Sequence, residues 1–112
     1  NPHNPTGRAW ERWEIEKAME VYKANDCVVI SDEIWSDIIL NGNKHIPTQS
    51  VSEDARNRTV AMYAPSKTFN LAGLVGSYHI IYNKHSSSFI CLGVKPKLIN
   101  YEECFISPPS CF

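Results

Sequence analysis

Residues 27–33 read Cys-Val-Val-Ile-Ser-Asp-Glu, a short apolar run that ends in two carboxylates. Four successive apolar residues, 27–30, predict a strand that is buried on both faces, as in a parallel sheet. Cys27 is accordingly predicted to be a buried core thiol. Ligands of open α/β sheets bind at the carboxyl ends of the strands. Asp32, directly after this strand, is therefore a candidate ligand-binding residue.

One helix and two further strands are predicted around this strand. Apolar residues recur at helical spacing within 11–24 and predict an amphipathic helix there. This apolar stripe consists of Ile15, Ala18, Met19 and Tyr22. Strands are predicted at 59–63 and 77–82, with a short helical turn near 52–56. The order of these elements predicts an α/β fold with a mostly parallel sheet and flanking helices.

Composition and charge exclude several classes of protein. The chain has 112 residues, which is the length of about one domain. Eleven basic and twelve acidic residues leave a net charge of −1, which argues against a nucleic-acid partner and against a basic membrane-binding surface. No apolar run is long enough for a transmembrane helix. The four histidines lack metal-ligand spacing, so no metal site is predicted.

The pattern of the four cysteines indicates the type of cellular compartment. None of them forms a Cys-x-x-Cys pair, so zinc-ribbon and thioredoxin-type sites are not supported. A chain of this kind, without a secretory pattern, favours a reducing, cytoplasmic setting.

Two other polar segments are candidates for chemistry. Residues 64–70, Ala-Pro-Ser-Lys-Thr-Phe-Asn, follow the second predicted strand. A neutral lysine such as Lys67 can form a covalent bond with an aldehyde cofactor, although a lone loop lysine is more commonly just solvated. Asp32 alone could equally be a helix cap or a surface ion pair. Residues 1–7, Asn-Pro-His-Asn-Pro-Thr-Gly, form a constrained turn that can aim an asparagine amide at a ligand.

Four motifs in this order resemble one enzyme family. They are Asn-Pro-His-Asn-Pro-Thr-Gly-Arg at 1–8, Ser-Asp-Glu-Ile at 31–34, Lys-His-Ile-Pro at 44–47, and Ala-Pro-Ser-Lys-Thr-Phe-Asn-Leu-Ala-Gly-Leu at 64–74. The chain resembles the pyridoxal-phosphate (PLP) enzymes of the class I/II aminotransferase superfamily, fold type I. Within that superfamily it is most similar to the cystathionine β-lyase branch of the MalY/PatB type.

The resemblance implies a role for each of five residues. Asn4 would hydrogen-bond the phenolic oxygen of the cofactor ring, and Asp32 would pair with the ring nitrogen and keep it protonated. Lys67 would hold the cofactor covalently and later act as the general base on the substrate α-proton. Ser66 would contact the cofactor phosphate. Trp35 occupies a cofactor-contacting position where the family usually has Tyr or His, and its indole N–H can donate but not accept a hydrogen bond.

The resemblance also implies a domain organisation. Family members are several times longer than the matched stretch, so residues 1–84 would be a fragment of the PLP-binding large domain. Residues 85–112 do not follow the family pattern and would then be a frameshifted or alternative end.

Three functions remain open at this point. The first is a carbon–sulfur β-lyase that converts cystathionine or a cysteine conjugate into a thiol, pyruvate and ammonia. The second is a class I/II aminotransferase, and the third is a non-catalytic remnant. The resemblance further implies a homodimer for the full-length protein.

Overall fold

The computed structural model describes residues 1–73 and 76–84, and the backbone of residues 104–107. The helices are α1 (Arg12–Ala24), α2 (Glu53–Arg58) and α3 (Pro65–Thr68), with a 3-10 turn at Thr48–Ser50. The strands are β1 (Val29–Asp32), β2 (Thr59–Tyr63), β3 (Ser77–Ile80) and β4 (Cys104–Ser107). No helix among the described residues is long and apolar enough to cross a membrane.

The four described strands form one sheet in the order β1-β2-β3-β4. β1 and β2 are parallel, with Val29 opposite Thr59 and Asp32 opposite Met62. β3 runs antiparallel to both β2 and β4. The described sheet is therefore mixed, and the prediction of a mostly parallel sheet is wrong for these strands. A parallel return needs a crossover connection, usually a helix, whereas the chain between β2 and β3 has only the four-residue α3 among its described residues.

The remaining element predictions agree with the structure to within a few residues, apart from the end of the chain. The 13-residue helix α1 and the strand β2 lie where they are predicted. No element is predicted after residue 84, yet β4 pairs with β3 there. Four residues carry too little periodicity to identify a strand, so this pairing is recognisable only in three dimensions.

The core joins α1 to β1 and α2. Ile15 and Met19 of α1 are buried against Val51 and Ala55, and Val29 of β1 packs against the same cluster. The apolar stripe predicted on α1 supplies this contact, because residues four apart lie on one helix face. The cluster therefore holds α1 against the start of β1 and against α2.

Polar contacts hold the start of β2 in place. The guanidinium of Arg58 binds both carboxylate oxygens of Asp54, at 2.6 and 2.8 Å, and the carbonyl oxygen of Cys27, at 2.8 Å. The buried Gln49 amide donates to the carbonyl oxygens of Thr59 and Ile80, each at 2.8 Å. These bonds tie the start of β2 to the neighbouring strands.

Two predictions about the first strand are wrong. Cys27 is exposed rather than buried, because β1 begins two residues later, at Val29. Ile30 is 71% exposed, because it lines an open cavity and is not packed in a core. An apolar run indicates that a strand will be buried, but it does not say which part of a protein buries it.

We expect the core around α1 to respond strongly to truncation. Ile15→Ala should lower the free energy of unfolding of the full-length protein by about 2–4 kcal/mol, because it leaves a cavity in the buried cluster. Val21→Ala on the same helix is the matched control, since Val21 is 60% exposed, and it should cost less than about 0.5 kcal/mol. Urea unfolding measures both values, and equal losses would contradict the assigned core.

Candidate active site

A cavity of about 630 Å³ opens beside the carboxyl end of β1. Its apolar wall is the face of α1 that carries Ile15, Ala18, Met19 and Tyr22. Four of the five predicted site residues line it, namely Asn4, Asp32, Trp35 and Lys67. The fifth, Ser66, is not among the lining residues. The structure therefore brings together groups that are up to 63 positions apart in the sequence.

The parallel pairing of β1 with β2 brings Asp32 and Lys67 to one edge of the sheet. Asp32 is the last residue of β1 and lies opposite Met62, and β2 ends one residue later at Tyr63. Lys67 lies shortly after the end of β2, in the short helix α3. The Thr68 hydroxyl then donates to the Asp37 carboxylate at 2.7 Å, which ties α3 to the turn that follows β1.

Within the described residues, only one oxygen of the Asp32 carboxylate is hydrogen-bonded. Its Oδ1 accepts a hydrogen bond from the backbone N–H of Ile34 at 3.1 Å. Its other oxygen accepts no bond from the described residues, and the side chain is exposed. One carboxylate oxygen is therefore available to a ligand in the cavity.

The first turn of the chain carries Asn4 to the same cavity. The turn closes on itself, because the N–H of Gly7 donates to the His3 carbonyl oxygen at 2.7 Å. Gly7 has a φ of 69°, a backbone conformation that glycine adopts without strain. The backbone nitrogen of Asn1 donates to the Asp32 carbonyl oxygen at 2.7 Å, so the turn is anchored to the end of β1.

Trp35 and Lys67 contact each other within the cavity. The Lys67 Nζ atom lies 5.4 Å from the centroid of the Trp35 ring, which is within the range of a cation–π interaction. Trp35 is half-buried, whereas Lys67 is exposed. The Trp35 ring thus provides an aromatic surface that the flexible Lys67 side chain contacts.

A buried carboxylate beside this site was missed by the sequence reasoning. Glu33 is fully buried and accepts four hydrogen bonds. The donors are the Ser31 hydroxyl at 2.9 Å, the Thr48 N–H at 3.0 Å, His45 Nε2 at 2.7 Å and the Tyr63 hydroxyl at 2.5 Å. The alternation of side chains along a strand was the available signal, because it puts Ser31 and Glu33 on the face opposite Asp32.

The four donors keep Glu33 ionised. Burial by itself raises the pKa of this carboxyl, but the hydrogen bonds from His45, Tyr63, Thr48 and Ser31 outweigh burial and lower the pKa to about 2. Burial and the adjacent Glu33 charge raise the pKa of the Tyr63 phenol, so Tyr63 remains a donor. Because the acceptor is charged, these hydrogen bonds are stronger than ordinary ones.

The described elements and the cavity are those of an α/β domain with a candidate site at the carboxyl ends of parallel strands. The chain belongs to the aminotransferase class I and II family, whose family model matches residues 1–100. The family model extends beyond residue 84, and the domain boundary predicted at that residue remains a prediction.

Individual relatives include both lyases and aminotransferases. Cystathionine β-lyase PatB of Bacillus subtilis is 49% identical over 81 residues, which are 72% of this chain and 21% of that protein. Aspartate aminotransferase of Sulfurisphaera tokodaii is 41% identical over 75 residues, covering 65% of this chain and 18% of that protein. The chain thus spans about a fifth of the length of the curated relatives it matches.

Solved structures confirm the predicted fold class. The crystal structure of the PLP-bound C–S lyase from Staphylococcus hominis matches with a TM-score of 0.76 and 39% identity, over 82% of this chain and 23% of that one. The described elements are therefore part of an α/β domain of PLP-dependent fold type I.

The Glu33 cluster predicts how stability depends on pH. Folding lowers the pKa of Glu33 from its ordinary value of 4.5 to about 2, so the folded state binds fewer protons than the unfolded state. The stabilisation is complete above about pH 4.5 and is lost as the pH falls towards 2, and it amounts to about 3 kcal/mol. Glu33→Gln should abolish this part of the pH dependence. Urea unfolding of both full-length proteins at several pH values measures it, and parallel curves would refute the assignment.

Proposed function

We propose that this chain is the cofactor-binding part of a PLP-dependent carbon–sulfur β-lyase. The substrate would be cystathionine or a related cysteine conjugate, and water would be consumed to give a thiol, pyruvate and ammonia. The observation that carries the proposal is the convergence of Asn4, Asp32, Trp35 and Lys67 on one cavity at the ends of two parallel strands. The similarity to PatB and to a C–S lyase supports the lyase reaction in particular.

The residues in the cavity fit the proposed cofactor. A flat, partly apolar ring needs an apolar wall, which α1 supplies, and the volume lies within the range of about 300–1,000 Å³ usual for small-molecule sites. A pyridine nitrogen needs an acidic partner, and Asp32 has a carboxylate oxygen available. An aldehyde needs an amine, which Lys67 supplies from the neighbouring strand end.

In this proposal each side chain binds or orients part of the cofactor. The Asp32 carboxylate accepts a hydrogen bond from the protonated ring nitrogen, and the Asn4 amide donates to the phenolic oxygen. Ser66, next to Lys67 in α3, is proposed to contact the phosphate. Trp35 is proposed to restrict the Lys67 side chain, through the ring contact described above, to positions near the cofactor.

Lys67 would also move the critical proton. PLP, when bound, supplies an electron-withdrawing ring that accepts the electrons left on the substrate α-carbon. The Nζ atom of Lys67, once the substrate amino group has displaced it, accepts the α-proton as a general base. Loss of that proton would let the carbon–sulfur bond at the β-carbon break, with the sulfur taking the bonding electron pair and the α-carbon electrons forming a carbon–carbon double bond.

An aminotransferase is the second candidate. The 41% identity to an aspartate aminotransferase favours it, and the same lysine and aspartate would serve both reactions. The two candidates differ in their second substrate, because an aminotransferase requires a keto acid and a lyase does not.

We also propose what covers the site in the full-length protein, its cellular compartment and the extent of the cofactor-binding segment. Asp32 and Lys67 are exposed, so a site that excludes water would need another segment or subunit to cover them. This need supports a homodimer of the full-length protein. The cysteine pattern supports a reducing, cytoplasmic setting, and residues 1–84 are proposed as the cofactor-binding segment.

The reaction can be tested with cystathionine and the full-length protein. We expect pyruvate to be released without added keto acid, and Lys67→Ala to abolish this release because the general base is lost. Lys17→Ala is the matched control, since Lys17 also lies over an indole ring, that of Trp13, at 5.5 Å but outside the cavity. Pyruvate assays measure both. A strict requirement for a keto acid would favour the aminotransferase, and absence of cofactor binding would favour the non-catalytic remnant.

The charge of Asp32 gives a separate prediction. Asp32→Asn keeps the shape of the side chain but removes the negative charge that holds the ring nitrogen protonated. We expect pyruvate release to fall by about a hundredfold or more, in the range of lost electrostatic stabilisation, while the cofactor still binds. Steady-state kinetics and the absorbance of the bound cofactor measure the two effects. An unchanged rate would remove Asp32 from the proposed site.

A further inference from the structure

Glu33 occupies an unusual place for a charged residue. Its carboxylate is fully buried, lies outside the lining of the cavity, and directly follows Asp32 in the chain. Its backbone N–H donates to the Met62 carbonyl oxygen at 2.9 Å and so extends the pairing of β1 with β2 by one residue. Glu33 therefore sits at the point where the two strands leave the sheet.

The donors to Glu33 come from separate segments of the chain. The Ser31 hydroxyl lies on β1, the Thr48 N–H on the 3-10 turn, and both residues line the cavity. The Tyr63 hydroxyl comes from the last residue of β2, four positions before Lys67. One carboxylate thus bonds to the segment that carries Asp32 and to the segment that leads to Lys67.

Space filling does not account for this arrangement. Removing an ionised group from water is costly, and well-packed apolar side chains of similar volume often stabilise a protein as well or better. A carboxylate with four directed hydrogen bonds instead specifies the relative positions of the groups that donate them. Two of those donors lie on the strand that ends at Asp32 and on the strand that leads to Lys67.

We propose that Glu33 is a positioning residue of the active site. Its carboxylate sets the spacing between the strand end that carries Asp32 and the strand end that carries Lys67. This inference rests on the proposed function, because it concerns the cofactor that those two residues would hold.

The test compares cofactor binding in three variants of the full-length protein. Glu33→Gln replaces the charged acceptor, whereas Tyr63→Phe removes one donor and keeps the ring that stacks on Tyr78 at 5.3 Å between centroids. Gln49→Met is the matched control, because Gln49 is also buried and also bridges strands, but it lies outside the cavity lining. Titration of the cofactor-free proteins with PLP gives the dissociation constant, and visible circular dichroism reports how the bound ring is held.

We expect both site variants to bind PLP more weakly by at least about tenfold, the lower end of the loss seen when a hydrogen-bonding partner of a metal ligand is removed. The circular dichroism signal per bound cofactor should also fall. Gln49→Met should lower the melting temperature and leave both readouts unchanged. If Glu33→Gln does not fold, Tyr63→Phe alone decides the question.

Two outcomes would overturn the inference, and they are distinguishable. If the unchanged protein binds PLP and the site variants match it in affinity and spectrum, Glu33 stabilises the fold only, and the proposed function stands. If the unchanged protein binds no PLP, the proposed function and this inference fail together.

Discussion

The parallel pairing of β1 with β2 is the constraint on which the site depends. The two strands run in the same direction, so both end on the same side of the sheet. The chain leaves β1 after Asp32 and leaves β2 towards Lys67. Parallel strands require a long connection, and residues 33–58 provide it with a turn, a loop and α2. An antiparallel pairing would have put the aspartate and the lysine at opposite edges of the sheet.

The buried region beside these strand ends is polar, and burying polar groups there has a cost in free energy of folding. Glu33 is charged and fully buried, and four donors offset its lost hydration. The core that supports it is small, consisting of a few apolar residues between α1, β1 and α2. Stability and site geometry therefore depend on the same few contacts, in contrast to a protein whose site is a loop on an independent scaffold.

The same arrangement serves more than one reaction in this family. Relatives of this chain include a cystathionine β-lyase and an aspartate aminotransferase. A shared fold does not specify a function, which is determined by the groups around the reacting atoms. The described residues hold the groups that are proposed to bind the cofactor.

The sequence by itself determined the local elements and the family, and it nominated the candidate site residues. The spacing of Ile15 and Met19 predicted α1, and the motifs around Asn4, Asp32 and Lys67 predicted the family, because both signals are encoded in near neighbours. Only the tertiary structure decided the direction of β3, the exposure of Cys27 and the burial of Glu33. These properties depend on contacts between residues far apart in the chain, such as Tyr63 with Glu33, and no local pattern records which partner a side chain will meet.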